Sequence, residues 1–258
     1  MRTQPMVWSV RRELWETRSI YVAPAIVAAI VVFAFLVSSF AGRHPSASEL
    51  SRPYDFAAIL LMATTFLVSI LYCIEALHGE RRDRSILFWK SLPVSDWTTV
   101  LSKLAIPMVV LPVVSWVATV GTQLIMLVLR GTAAPWGLVA GTWPMLLYHL
   151  LTVHSLYYAP IFAWLLFVSA WARRMPFVWA FLPLAAIAIV ERMAFNTSYF
   201  GHMLGRRISG DMDEAKGPLL GHFMPMDFLS KPGLWIGLAV AAVFIAAAVQ
   251  LRRSRAPI

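Results

Sequence analysis

The sequence predicts an all-α integral membrane protein with six transmembrane helices, and three observations lead to this fold class. Of the 258 residues, 59% are hydrophobic and only 14% are charged, whereas about a quarter of the residues in a typical soluble domain are charged. The apolar residues gather in blocks of about 20, the length at which a helix crosses the hydrocarbon core of a bilayer. Membrane-spanning strands would instead need runs of about 10 residues with alternating polarity, and we find no such runs.

The apolar blocks define six predicted spans. They cover residues 20-40, 56-77, 97-129, 145-171, 176-193 and 234-251. The fifth span has the shortest clean apolar run and needs Met175 and the Glu191-Arg192 pair at its ends. A cleaved signal peptide is the competing interpretation of the first span, but its apolar run is too long and a long mixed-charge segment precedes it. Without internal repeats, the chain is predicted to form one transmembrane domain, 1-258.

The distribution of basic residues predicts the orientation. With the N-terminus in the cytoplasm, 14 of the 22 Lys and Arg residues fall on the cytoplasmic side and eight on the outer side. Because cytoplasmic loops of membrane proteins carry an excess of Lys and Arg, both termini are predicted to be cytoplasmic. The formal net charge of +9 is therefore interpreted as an effect of topology, and no nucleic-acid partner is expected.

The N-terminal segment 1-19 is predicted to be an interfacial helix. In PMVWSVRRELWETR, from Pro5 to Arg18, a helix would gather Val7, Val10 and Leu14 on one face beside Trp8 and Trp15, and would turn Ser9, Arg12, Glu13 and Glu16 away from it. Such a helix would lie on the inner leaflet. The alternative is an ordinary positively charged tail that is partly frayed.

The loop 80-95, ERRDRSILFWKSLPVS, places a short amphipathic element between two spans. Ser85 can cap a helix start and Pro93 disfavours continuation past Leu92, which leaves about two turns. So short a helix is not stable in water alone and must dock on something. The candidates are the lipid headgroups, the ends of this protein's own helices, or a cytosolic partner.

The stretch ERRDRSILFWKSLPVSDWTTVLSKL, residues 80-104, resembles the signature of permease subunits of the type-2 ATP-binding-cassette exporter family. In that family a charged run, an apolar stretch and Leu-Pro-Val-Ser follow the second span, and a Lys enters the third. Here Leu92-Pro93-Val94-Ser95 and Lys103 occupy those places. Elsewhere the resemblance is architectural: an interfacial helix, six spans and a long last outer loop.

The resemblance implies that Ser85 to Leu92 form a coupling helix in a groove of a separate ATPase subunit. The expected contact residues are Arg84, Ser85, Ile86, Phe88, Trp89, Lys90, Leu92 and Pro93. It further implies a bacterial cytoplasmic membrane, a homodimer or a pair with a homologous permease, and ATP and Mg in the partner subunit. In the outer loop 196-232 it implies re-entrant helices before span 6, whereas the sequence alone equally allows a solvated loop.

The chain itself is not predicted to be an enzyme. It has no G-x-x-x-x-G-K-[ST] phosphate loop. With one cysteine, Cys73, and with His149 and His154 poorly spaced for one helix face, it offers no metal or cofactor site. Membrane lipid is the remaining expected contact.

Four polar residues in or near the spans are candidates for a substrate pathway or for structural pairing: Glu75, Lys103, His154 and Glu191. For Glu75 and Glu191 we favour structural pairing, and we expect Lys103 to reach the inner surface or to pair with Glu75 or Asp96. Pro107, Pro112 and Pro160 can kink spans 3 and 4, which would suit helices that bend during transport.

Two rival functions stay open. One is a membrane-embedded lipid-modifying enzyme, which would need polar residues converging within the membrane. The other is a sensor or immunity subunit that uses the same fold without transporting anything. The transported substrate is not specified by the sequence, since aromatic and Met-rich faces suit a lipid, an amphipathic peptide or a drug-like compound equally.

Overall fold

The computed structural model describes residues 5–41, 50–85, 94–131, 134–209 and 232–254. Apart from short connections these residues are helical, with no strand among them. The α-helices are α1 Pro5–Glu16, α2 Ser19–Phe40, α3 Arg52–Ala76, α4 His78–Arg82, α5 Asp96–Ala105, α6 Leu111–Arg130, α7 Trp136–His149, α8 Ser155–Trp171, α9 Pro176–Phe195, α10 Tyr199–Ser209 and α11 Pro232–Ser254. Two π-helical segments interrupt the longest rods: π1 Ile106–Val110 joins α5 to α6, and π2 Leu150–His154 joins α7 to α8.

Six helical rods are long and apolar enough to cross a membrane, which confirms the predicted all-α multi-pass class. They cover Ser19–Phe40, Arg52–Arg82, Asp96–Arg130, Trp136–Trp171, Pro176–Phe195 and Pro232–Ser254, and we number them spans 1 to 6. Span 4 begins at Trp136, earlier than the predicted start at 145, because the helix continues through Pro144.

Small residues let spans 4 and 6 pack closely. Ala159 and Ala163 of α8 are buried against Ala241 of α11, and small side chains allow two backbones to approach within a membrane. Span 5 has a different character, since Ala180 is the one residue of α9 that is buried. Most of its apolar side chains face outward, as expected of a surface covered by lipid.

Local sequence explains where span 3 starts and where it deviates from α-helix. The Ser95 side chain accepts a hydrogen bond from the Thr98 amide at 3.1 Å and caps α5. Pro107 lies inside π1 and Pro112 directly after it. The Leu111 amide donates to the carbonyl of Ile106, five residues back, which is the π-helical register.

One end of the bundle gathers four parts of the chain. Helix α1, helix α4, the start of α5 and the last turns of α11 meet there. We call this the charged end, because acidic and basic side chains from all four parts are buried in it. Glu80 and Asp96, at the two ends of the loop that contains the predicted coupling segment, both lie at this end.

Candidate functional site

Six charged side chains, four of them buried and two half-buried, form a network at the charged end that we call the charge cluster. Its members are Arg12 and Glu13 of α1, Glu80 of α4, Asp96 and Lys103 of α5, and Arg252 of α11. Three are basic and three are acidic, so the cluster is formally neutral. Because a buried charge is costly unless it is paired, the neutral composition is what lets these groups lie inside the bundle.

Glu80 lies at the centre of the charge cluster and contacts three cations. Its Oε1 is 3.2 Å from Arg12 Nη2 and 3.1 Å from Lys103 Nζ. Its Oε2 accepts a hydrogen bond from Arg252 Nη1 at 2.5 Å. One carboxylate thus joins α1, span 3 and span 6 to the end of span 2.

Glu13 provides the second shared carboxylate. It accepts hydrogen bonds from Lys103 Nζ at 2.9 Å, from the Tyr72 hydroxyl at 2.7 Å and from Arg12 Nη2 at 2.6 Å. Burial on its own would raise the pKa of Glu13, but the Lys103 charge and these three donors outweigh it and lower the pKa below 4.5. Glu13 is therefore held as a carboxylate and fixes α1 to spans 2 and 3.

Arg252 connects the last span to the start of span 3. Besides Glu80, its guanidinium contacts Asp96, with Nε to Oδ1 at 2.9 Å. Arg252 is 5% exposed, so both contacts lie largely out of water. Asp96 immediately follows the Ser95 cap, and this bond therefore fixes the point at which the chain returns from the loop 80-95.

A second set of contacts fixes the end of span 2, where the loop 80-95 begins. The Ser169 hydroxyl oxygen accepts hydrogen bonds from the amides of Leu77 and His78, at 3.0 and 2.9 Å. Arg81 Nη1 donates to the carbonyl of Ala170 at 2.8 Å. A cation at the last carbonyls of a helix also interacts favourably with the helix dipole. The end of span 2 is therefore bound to the end of span 4.

Most of the predicted contact residues lie outside the described residues: Ile86, Phe88, Trp89, Lys90, Leu92 and Pro93. Of the other two, Arg84 has a left-handed backbone, with φ of 58°, which ends the helical course of α4. The Ser85 hydroxyl donates back to the carbonyl of Glu80 at 3.4 Å. The coupling helix itself remains a prediction.

The structure changes the expected partners of Lys103. It contacts Glu13 and Glu80 and is buried, with its side chain 3% exposed, so the expected pairing with Glu75 or Asp96 is wrong. Glu75 instead pairs with Arg82 at 2.9 Å, and both side chains are about half exposed. Turned outward in this way, Glu75 is separate from the charge cluster.

The two other polar candidates lie elsewhere. Glu191 accepts hydrogen bonds from the Thr197 hydroxyl at 3.1 Å and from the Phe200 amide at 2.9 Å, and so holds the turn between α9 and α10. His154 is buried at the end of π2 against Phe66 and Tyr158. The four candidates therefore do not converge on one site.

Helix α1 is oriented differently from the simple amphipathic expectation. Val10 and Leu14 pack on the core, but Glu13, expected to face away, is 2% exposed. Trp8 and Trp15 are exposed, and the Arg11 guanidinium lies between them, 5.6 and 4.9 Å from their ring centroids. The binding of Glu13 to Lys103 overrides the apolar periodicity.

Of the six residues in the charge cluster, Lys103 alone was predicted as a site residue from the sequence. A signal existed, since each of the other five lies either next to the end of a predicted span or in the predicted interfacial helix, and charged residues at such places tend to pair with one another. Among the described residues, no group of three or more His, Cys, Asp or Glu side chains is arranged to hold a metal ion. The charge cluster is thus a linkage between helices that carries its own neutralising charges.

Comparisons with known proteins identify no relative: no family model, no curated protein and no solved structure matches the chain.

Proposed function

We propose that the chain is the transmembrane subunit of an ATP-driven exporter, related to the type-2 ATP-binding-cassette permeases. It would lie in a bacterial cytoplasmic membrane with both termini in the cytoplasm. Two copies, or one copy and a homologous permease, would form the substrate pathway between them. Separate ATPase subunits, which bind ATP and Mg, would dock on the segment 85-92.

The observation that carries this proposal is that both ends of the loop 80-95 are fixed to the bundle. Glu80 is the first residue of the loop and Asp96 directly follows it, and both bind Arg252 of span 6. A loop that only connects two spans needs no such attachment. A loop that receives a force from a partner does, because the attachment transmits movement to the spans rather than to the loop alone.

The attachment reaches the elements that a transporter must move. Lys103 lies within span 3, and Glu13 connects it to α1. Movement of the loop would therefore displace α1, the start of span 3 and the end of span 6 together. These elements are joined by buried charges whose separation would cost several kcal/mol, so they would move as one unit.

Helix α1 has a second part in this proposal. Its exposed face carries Val7, Trp8, Arg11 and Trp15, a combination of apolar, aromatic and cationic groups that suits the headgroup region of a bilayer. Membrane lipid would then hold α1 from outside while Glu13 holds it from inside. The helix would set the depth of the charged end in the membrane.

The test is purification of the tagged chain from its native host in mild detergent, with identification of co-purifying proteins. The wild type is compared with the double variant Phe88→Ala/Trp89→Ala in the predicted coupling helix. The matched control is Phe177→Ala/Phe181→Ala, two aromatic residues that contact each other on the exposed face of α9. We expect an ATPase subunit with the wild type and the control, and its loss with the coupling variant.

An ATPase that is absent from all three preparations would refute the proposal. A membrane-embedded enzyme would then keep its activity in cells that lack any partner ATPase, which separates that rival from the permease. Where the ATPase does co-purify, vesicles loaded with candidate lipids, peptides or drug-like compounds would separate a transporting permease from a sensor subunit.

A further inference from the structure

Spans 3 and 4 each contain one π-helical segment, and the two segments lie against each other. Ile106–Val110 and Leu150–His154 contact across the interface between the spans. Their first residues, Ile106 and Leu150, are both fully buried. π-Helical turns are uncommon, and they mark places where a helix changes direction or where its hydrogen bonding can rearrange.

Ser155 connects the two segments. Its hydroxyl donates to the carbonyl of Met108, in the middle of π1, and also lies 2.9 Å from the carbonyl of Leu150, the first residue of π2. A hydroxyl has a single hydrogen, so it serves these two acceptors in turn or shares the hydrogen between them. Ser155 is 2% exposed, and water does not compete for either bond.

Proline removes the α-helical partner of the acceptor on span 3, the Met108 carbonyl. Pro112 has no amide hydrogen, and in α-helical register the amide of residue 112 would bind the carbonyl of residue 108. Within a membrane no water can replace that amide, so a donor from a neighbouring helix stabilises the carbonyl. The Ser155 hydroxyl is that donor.

We propose that π1 and π2 form a paired hinge, and that Ser155 is the positioning residue that couples the bend of span 3 to the bend of span 4. When span 3 straightens or tilts, the hydroxyl passes from Met108 to Leu150 and stays hydrogen bonded. The hinge can therefore move without leaving a buried hydroxyl unpaired.

The position of the hinge relates it to the charge cluster. Lys103 is about one helical turn before Ile106, so the rigid charged end stops where π1 begins. Movement of the charged end would thus be converted into a change of bend at the hinge. This role in transport rests on the proposed function, whereas the hinge itself belongs to the isolated chain.

The first experiment measures the bend of span 3 in the purified chain, without any ATPase. Spin labels are placed at Leu101 and Ile125, which are 39% and 50% exposed on either side of π1, and their separation is measured by pulsed electron resonance. The buried Cys73 is replaced by Ser in all samples. A straight helix would separate the two positions by about 36 Å, and a bent one by less.

Two variants of equal shape isolate the hydroxyl. Ser155→Thr keeps the donor and Ser155→Val lacks it, while both add the same bulk. We expect the Thr variant to keep the wild-type distance distribution. The Val variant should broaden it and lower Tm by about 2 to 4 °C relative to Thr, the size expected for one buried hydrogen bond in a chain of this length. Identical distributions for Thr and Val would overturn the proposal.

A second comparison tests the connection to Pro112. Pro112→Ala restores an amide that can bind Met108, so Ser155→Ala should lower Tm clearly in the wild type and hardly at all in the Pro112→Ala background. The control is Thr142→Ala, because Thr142 lies outside both π-helical segments and its hydroxyl donates within its own helix to the Val139 carbonyl at 2.7 Å. An equal loss from Ser155→Ala in both backgrounds would contradict the role assigned to Ser155. Neither comparison depends on a partner protein. If the purification experiment refuted the exporter proposal, these measurements would still test the hinge independently.

Discussion

Replacing Glu80 by Gln tests the charge cluster most directly. The substitution keeps the shape of the side chain and removes one negative charge from a network of three cations and three carboxylates. Arg12, Lys103 and Arg252 would then share the two remaining carboxylates of the cluster, and beyond these only the half-exposed Glu16 lies near, 3.6 Å from Arg12. Their side chains are only 19%, 3% and 4% exposed, so water cannot replace the lost charge.

The expected loss of stability is large. Removing one partner of a buried ion pair costs about 3 to 5 kcal/mol. At roughly 2 to 4 °C per kcal/mol for a chain of this size, Tm should fall by about 6 to 20 °C. The measurement is thermal unfolding of the purified chain in mild detergent, followed by tryptophan fluorescence and by the fraction that remains monodisperse after heating.

Glu75→Gln is the matched control. Glu75 lies on the same span, and its pair with Arg82 is about half exposed, where an ion pair contributes little. The double variant Glu80→Gln/Lys103→Met removes one charge of each sign and should be more stable than Glu80→Gln alone. If Glu80→Gln lowers Tm no more than Glu75→Gln does, the buried charges do not hold the charged end together, and the argument built on them fails.

Three smaller effects are expected from other contacts. Ser169→Ala leaves two buried amides without an acceptor and should cost about 1 to 3 kcal/mol, whereas Ser39→Ala, on an exposed helix face, should leave Tm nearly unchanged. A Cβ on Gly237 would overlap the Arg207 guanidinium at Nη2. Gly237→Ala should therefore displace that guanidinium and lower Tm as much as Arg207→Ala does, with no further loss when the two substitutions are combined. The pKa of Glu13 in the folded chain is lowered from 4.5, so the stability that its carboxylate provides is complete above about pH 4.5 and is lost as pH falls through the lower pKa of the folded state. Tm measured from pH 7 to pH 3 should show this loss in the wild type and less of it in Glu13→Gln.

The positions of the helices follow largely from local sequence. A block of about 20 apolar residues can satisfy its backbone in lipid only as a helix, so composition alone predicts six rods. The Ser95 cap is equally local, because the hydroxyl and the amide it binds are three residues apart. Span 4 was predicted to begin at 145, whereas its helix begins at Trp136 and continues through Pro144, because membrane helices tolerate proline within their length.

The partners within the charge cluster could not be predicted in the same way. Lys103 binds Glu13, 90 residues away in the sequence, and Arg252 binds Glu80, 172 residues away. A lysine near a helix end has several carboxylates within plausible reach, and only the packing of spans 2, 3 and 6 decides among them. The periodicity of α1 likewise indicated an apolar inner face, but two buried ion pairs turned Glu13 inward.

The choice of charges at this end has a consequence that apolar packing would not have. Apolar side chains of similar volume could replace a buried ion pair with little loss of stability, but they would allow neighbouring helices to slide and rotate against each other. Shared carboxylates fix both distance and direction, since Glu80 must satisfy Arg12, Lys103 and Arg252 at once. The charged end is therefore stiff, and the first place above it where span 3 can yield is the π-helical turn that begins at Ile106. A stiff charged end next to the loop, followed by a hinge within span 3, would allow a movement at residues 85-92 to change the shape of the spans. Without the stiff end, the same movement would change only the shape of the loop.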